Sequence, residues 1–352
     1  MLLENWSDKV SVYWDFSMGP VTFIANIMLI IIILKYTPDS TKAYSSIILS
    51  ITFADCASLI GNFMTSARVI PRDTQLFMIF RGACVYCFPN DIELKSKYCL
   101  YWYAFQIHLF IVNHMILIFS YIYRVIIITN PMKKLDNTKP VYIGIFFYVT
   151  LHFCYFNWVV YKAFQPMDTV NQAISKYEPD IVGSGATYYG IVDLSDPSQV
   201  VFNFLSITSP IFVIVVAVLC HWRIVRFSKK FQYSAAVKKL HRSLEIVFFA
   251  QTLGPILSFI ATMMYVGTNQ GGVSTHTTIF FENLMSRPMV LMFSVNPIVT
   301  FLYISPYRKA LRKWLRIPEP VVVGIPSHVL SFLELLAVVA VTFCHGTKLM
   351  WL

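Results

Sequence analysis

Seven long apolar runs limit what this chain can fold into. The first, Ser17 to Leu34, is 18 residues without a charge. As a helix rising ~1.5 Å per residue it covers roughly 27 Å, close to the hydrocarbon thickness of a bilayer. Six more follow, near Ala43–Thr65, Tyr98–Ile128, Val141–Tyr161, Val200–Cys220, Leu244–Gly267 and Thr277–Ile304. Helix is the open-ended backbone arrangement that satisfies its own polar groups in lipid. Composition rules out the soluble alternative. Only 13% of residues are charged and 57% are hydrophobic, whereas an ordinary soluble domain carries about 25% charged residues. The expectation is an all-α membrane protein, a seven-transmembrane helix bundle over residues 1–316, with an atypical hydrophobic tail at 317–352. In that tail His328–Cys344 is mostly apolar but interrupted by Glu334. It reads as an extra helix across the membrane, a helix in the interface, or sequence foreign to the domain.

Charge asymmetry orients the bundle. The stretches after spans one, three, five and seven hold seventeen Lys and Arg residues, and the opposite side holds eight together with eleven of the eighteen acids. The N-terminus is therefore expected outside, with the first run acting as a retained signal anchor. Asn5-Trp6-Ser7, the only Asn-x-Ser/Thr sequon, agrees with an exposed, glycosylated Asn5. The formal charge of +10 then reflects topogenic cations and attraction to anionic lipid rather than nucleic acid.

Ionisable groups inside spans are expensive and mark function by default. Asp55 in span two, Glu282 near the outer end of span seven and Arg287 below it are the candidates. Glu282 and Arg287 stand about 140° apart around a helix and should not pair with each other. Asp55 and Arg287 fall at similar depth, so an Asp55–Arg287 pair is one reading and a solvated or protonated Asp55 the other. Span three carries the sharpest pattern. Cys99, Gln106, Phe110, Asn113, Leu117, Ser120 and Arg124 recur at seven-, four- and three-residue steps, which is one helix face. Lipid would reject that face, so it points into the bundle, as helix–helix glue or as ligand contact. His108, His114 and His152 lack metal-ligand spacing, and no metal or other cofactor is expected.

At this point the residues resemble a family. Arg68-Val69-Ile70-Pro71 followed by Gly82-Ala83-Cys84, then Ser120-Tyr121-Ile122-Tyr123-Arg124, Gln251-Thr252-Leu253-Gly254-Pro255, and Asn296-Pro297 through Tyr307-Arg308 are similar to the nematode Srd chemoreceptors of the Str superfamily, rhodopsin-like G-protein-coupled receptors. The resemblance implies a small extracellular ligand, a heterotrimeric G protein and a plasma-membrane location in sensory neuron cilia. It places Tyr123-Arg124 where such receptors keep an acid-Arg-Tyr motif, and Asn296-Pro297 where they keep Asn-Pro-x-x-Tyr. It also places Asp55 as the acid that meets Asn296, favouring Asn296 over Arg287 as its neighbour. No acid precedes Arg124, and Thr300 stands in place of the tyrosine. The second outer loop, Lys162–Gln199, has no cysteine, so the family's usual disulfide gives way to a local one from Cys99 to Cys84 or Cys87.

Gln106, Phe110, Glu282 and Arg287 are the expected ligand contacts. Span six, kinked at Pro255, is the expected moving part that opens the inner end near Arg124. A transporter or ligand-gated channel is the alternative, weakened by the lack of an inverted repeat. An enzyme is not expected, because the chain has no paired carboxylates and no Gly-x-Ser-x-Gly. Span seven has no lysine for a retinal Schiff base.

Overall fold

The computed structural model describes residues 6–38, 42–129, 139–228, 250–260, 263–264, 275–284 and 287–316. Asn5, the basic stretch Lys229–Arg242 and the tail beyond Arg316 lie outside the described residues. Among the described residues five helices are long and apolar enough to cross a membrane: α1 (Trp6–Tyr36), α2 (Lys42–Thr65), α3 (Ile92–Thr129), α4 (Lys139–Ala163) and α6 (Pro197–Ser228). A short helix, α5 (Met167–Ser175), lies between α4 and α6. Span six is represented by α7 (Ala250–Ile260). Span seven is represented by α8 (Thr275–Leu284) and α9 (Arg287–Tyr303).

The helices sort by what they touch. In α3, 67% of the apolar window is buried, against 28% in α4 and 24% in α6, so α3 is the central post and the other two face lipid. Phe146, Phe147 and Phe204 stand exposed on those outer faces, where hydrocarbon rather than water is the matching solvent. α1 overshoots the expected first span by more than two turns at its outer end. Its Ser7, Asp8, Ser11, Asp15, Thr22 and Asn26 form a buried polar stripe, at the three- and four-residue steps that keep side chains on one helix face.

The end of the bundle expected to face outward carries β structure, which the all-α expectation did not include. β1 (Arg68–Arg72) and β2 (Gln75–Phe80) form an antiparallel hairpin, and β3 (Thr187–Ile191) adds to β2 with Met78 opposite Tyr189. Asp73 turns the hairpin at φ 50°, a left-handed value that Asp tolerates better than most residues. Val69, Ile70, Phe77, Met78 and Tyr189 pack with Leu100 of α3 and Val170 and Ile174 of α5 into a separate outer core. Gly82 seats this layer on α2: a Cβ there would lie 2.4 Å from the Met64 carbonyl oxygen.

Cys84 is bonded to Cys99 across 15 residues of chain, and Cys87 is a free thiol. A loop of that size confers about 3 kcal/mol. Cys99→Ser is therefore expected to lower the thermal midpoint of purified protein and its surface level, and Cys87→Ser to change neither. Equal behaviour of the two variants would reassign the bond.

At the inner end the chain turns 93° from α9 into α10 (Ser305–Leu315). Tyr307, Ala310 and Leu311 of α10 bury against Leu29, Ile32 and Ile33 of α1. The Tyr307 hydroxyl is 2.6 Å from Ser45 Oγ and 2.9 Å from Thr37 Oγ1. Lys309, Lys313, Trp314 and Arg316 stay exposed. Cations beside an aromatic on one face of a helix lying across the bundle suit a headgroup surface.

Candidate functional site

The polar face of α3 is buried along its length. Gln106, Phe110, Asn113, Leu117, Ser120 and Arg124 are each under 5% exposed. Near the outer end Gln106 donates to Asn62 Oδ1 at 3.3 Å and accepts from the Thr65 hydroxyl at 3.4 Å. α2 and α3 approach closely there, since a Cβ on Gly61 would lie 3.0 Å from that of Gln106. Phe110 packs edge-on against His114, with ring centres 4.2 Å apart.

Midway down, Asn113 Nδ2 donates to Asp55 Oδ1. Asn296 donates to Asp55 Oδ2 at 3.3 Å and to the Thr52 hydroxyl at 3.2 Å. Asn296 is thus the span-seven neighbour of Asp55, and Arg287 is not. Two amides share the carboxyl, which is how a buried acid keeps its lone pairs satisfied without a cation. Beside it lies a cavity of about 20 Å³ bounded by Asp55, Asn113, Gln251, Asn296, Leu117 and Met292. That volume has room for one water molecule, with the Asp55, Asn113, Gln251 and Asn296 side chains at the edge of an otherwise apolar wall.

The chain of contacts continues inward. Gln251 of α7 donates to Asn296 Oδ1 at 3.2 Å and accepts from Arg124 Nη2 at 3.0 Å. Arg124 also donates to the Tyr44 hydroxyl, and its guanidinium carbon stands 4.8 Å from the centre of that ring. Asn113, Asp55, Asn296, Gln251 and Arg124 therefore form one hydrogen-bonded path linking spans three, two, seven and six. Sequence reading picked every member of it except Gln251, which it noted only as part of a motif. Tyr123 is buried in an apolar cluster that joins α3 to α2, α6 and α9. Pro255 and Pro297 are buried inside α7 and α9.

Glu282 and Arg287 belong to a different set of contacts. Glu282 is fully buried and accepts from Arg68 Nε at 2.9 Å and Nη2 at 2.6 Å. Its other oxygen stands 2.9 Å from Arg72 Nη1, and Arg72 reaches outward to Glu178 at 3.0 Å. Arg287 pairs with Asp15 and donates to the Ser11 hydroxyl. Ser66 completes the Asp15 site at 2.6 Å. Arg81 bridges Asp8 at 2.8 Å and Asn283 at 3.1 Å. Burial pulls the Arg81 guanidinium down to about 10, with Asp8 opposing that shift, so it stays charged at neutral pH. Four arginines and four acids form a neutral, mostly buried ionic layer that ties α1 and the hairpin to span seven.

One further pair escaped sequence reading. His108 of α3 and His152 of α4 meet through their Nδ1 atoms, and His108 stacks on Phe156 at 4.9 Å. Their 44-residue separation gives no local signal.

The model of the serpentine type 7TM GPCR chemoreceptor family Srd matches residues 10–313. The chain belongs to this family. It is 24% identical over 298 residues to serpentine receptor class delta-1 of Caenorhabditis elegans, covering 82% of this chain and 76% of that one. With serpentine receptor class delta-3 of the same organism it shares 23% over 317 residues, covering 87% of this chain and 88% of the relative. Class delta-2 shares 24% over 322 residues, with coverage of 88% and 84%. An Srd receptor is a multi-pass membrane protein with seven spans, and its family is one of chemoreceptors, not enzymes. In this Srd chain the sheet, the path to Arg124 and all of the ionic layer except Asp8 fall inside the matched residues.

Proposed function

We propose that the chain is a chemosensory receptor of the plasma membrane that takes a small molecule from outside and activates a heterotrimeric G protein inside. The observation that carries this reading is the path from Asn113 and Asp55 through Asn296 and Gln251 to Arg124. It joins four spans, so a ligand that repacks their outer halves changes the setting of an arginine near their inner ends. A ligand shifts that equilibrium only by its differential affinity for the two arrangements.

The outside N-terminus with glycosylated Asn5, the receptor domain at 1–316 and the ciliary location are part of the same proposal. Lys/Arg asymmetry and family membership support it. Phe110 faces the ligand between spans three, five, six and seven, and Gln106 must trade its partners Asn62 and Thr65 on span two to touch it. For Glu282 and Arg287 to touch it, each must trade an internal ionic partner for the ligand.

The test is a ligand screen in cells expressing the full chain and a promiscuous G protein, with calcium as readout. A dose-dependent signal absent from untransfected cells is the expected result. Ligand-evoked current in cells lacking G proteins would overturn it in favour of a channel.

A further inference from the structure

Arg72 ends β1 at the tip of the hairpin and is divided between two acids. Inward, its Nη1 stands 2.9 Å from Glu282 Oε1, close enough for an ion pair but out of line for a hydrogen bond. Outward, its Nη2 donates to Glu178 Oε1 at 3.0 Å. Glu178 reaches it from 106 residues further along the chain, where it precedes a single 3-10 turn, Pro179–Ile181, that its side chain does not cap. The two acids differ in access. The Glu178 side chain is 29% exposed and that of Glu282 0%, so only the outer one can leave at little cost.

Charge shows what would replace it. The buried part of the ionic layer sets Arg68, Arg72, Arg81 and Arg287 against Asp8, Asp15 and Glu282. Among these described residues it is one negative charge short, and Glu178 supplies that charge from the solvent side. A cation held partly out of water needs a counter-charge, yet an ion pair as open as Arg72–Glu178 contributes little to stability. We infer that Arg72 is the seat of a small monocarboxylate and that Glu178 is its built-in stand-in, displaced when the ligand arrives. The planar fork of a guanidinium matches a carboxylate. One missing charge fits a monoanion, whereas a divalent anion such as sulfate would leave the layer negative.

This deepens the proposed function by naming an acid group on the ligand, and its signalling consequence rests on that reading. Arg72 and Arg68 share Glu282 of α8. Exchanging Glu178 for a ligand therefore lets Arg72 resettle against the outer end of span seven. The segment that carries Glu178 need not leave, because the Tyr177 hydroxyl still donates to Asp73 Oδ2 at 2.8 Å.

The test is binding of acetate to purified full-length protein at fixed ionic strength, with chloride as the balancing anion, read from broadening of the acetate methyl NMR signal. Glu178→Gln removes the stand-in and keeps its shape. Its dissociation constant for acetate should be about tenfold lower than that of wild type, as where the stand-in fills the seat about nine-tenths of the time. Arg72→Gln should not bind. Equal affinity in wild type and Glu178→Gln, or binding retained in Arg72→Gln, overturns the inference. Sulfate displacing acetate at equal concentration overturns the choice of a monoanion. If Arg72→Gln is not recovered folded, Glu178→Gln against wild type decides alone. Acetate binding as expected in a chain that signals through no G protein would sink the receptor reading and leave the seat standing. A ligand-evoked signal with equal acetate affinity in wild type and Glu178→Gln would do the reverse.

Discussion

Arg287→Leu is expected to leave little receptor at the cell surface. Arg287 and Asp15 are both nearly inaccessible, at 6% and 2% side-chain exposure, and removing one charge strands the other. Breaking a buried pair this way costs about 3–5 kcal/mol, a large part of the 5–15 kcal/mol that typically holds a domain folded. The double variant Asp15→Leu/Arg287→Leu removes the stranded charge as well and should recover most of the surface level, since apolar replacement of a whole buried pair is often neutral. The exposed pair Lys97–Glu93, at 30% and 49%, is the contrast. Lys97→Ala should change stability by less than about 0.5 kcal/mol. Surface labelling and the melting midpoint of purified protein check all three. A double variant no better than Arg287→Leu would mean that the residues act separately.

What sequence reading could see follows from range. Apolar runs and the α3 face are local, and their period states both the helix and its buried side, so the seven-span bundle was visible residue by residue. The β hairpin also had a local signal, the Val69–Ile70 and Leu76–Phe80 segments flanking Asp73-Thr74. Pro71 and the flanking arginines mask that signal, because proline within a short run argues against a strand. The polar stripe on α1 was equally periodic, but it begins above the charge-free run that defined the span. Ion pairs are another matter. Glu282 finds Arg68 across 214 residues, and Arg287 finds Asp15 across 272. Depth counting along single helices offers Arg287 as one partner for Asp55, but depth alone does not state which way span seven faces at that level. The α1 stripe, which nothing in that count included, takes the arginine instead. Gln251 is a lone amide in its apolar run, without the recurring polar partners that mark the face of α3. The bend into α10 is hidden because its four cations serve equally well as topogenic charge.

Arg124→Ala should abolish ligand-evoked signalling while the receptor still reaches the surface. The difference from Arg287 lies in what each arginine leaves behind. Arg287 strands a carboxylate. Arg124 leaves Tyr44 and Gln251 short of a partner, and an unsatisfied neutral group costs about 1–3 kcal/mol and can recruit water near the inner end of the bundle. Folding should therefore survive, with surface level within about twofold of wild type. Signalling should not, because the path from Asp55 would end at Gln251 with no cation to release. Arg124→Lys keeps the charge but loses the planar fork of donors, and should retain a reduced response.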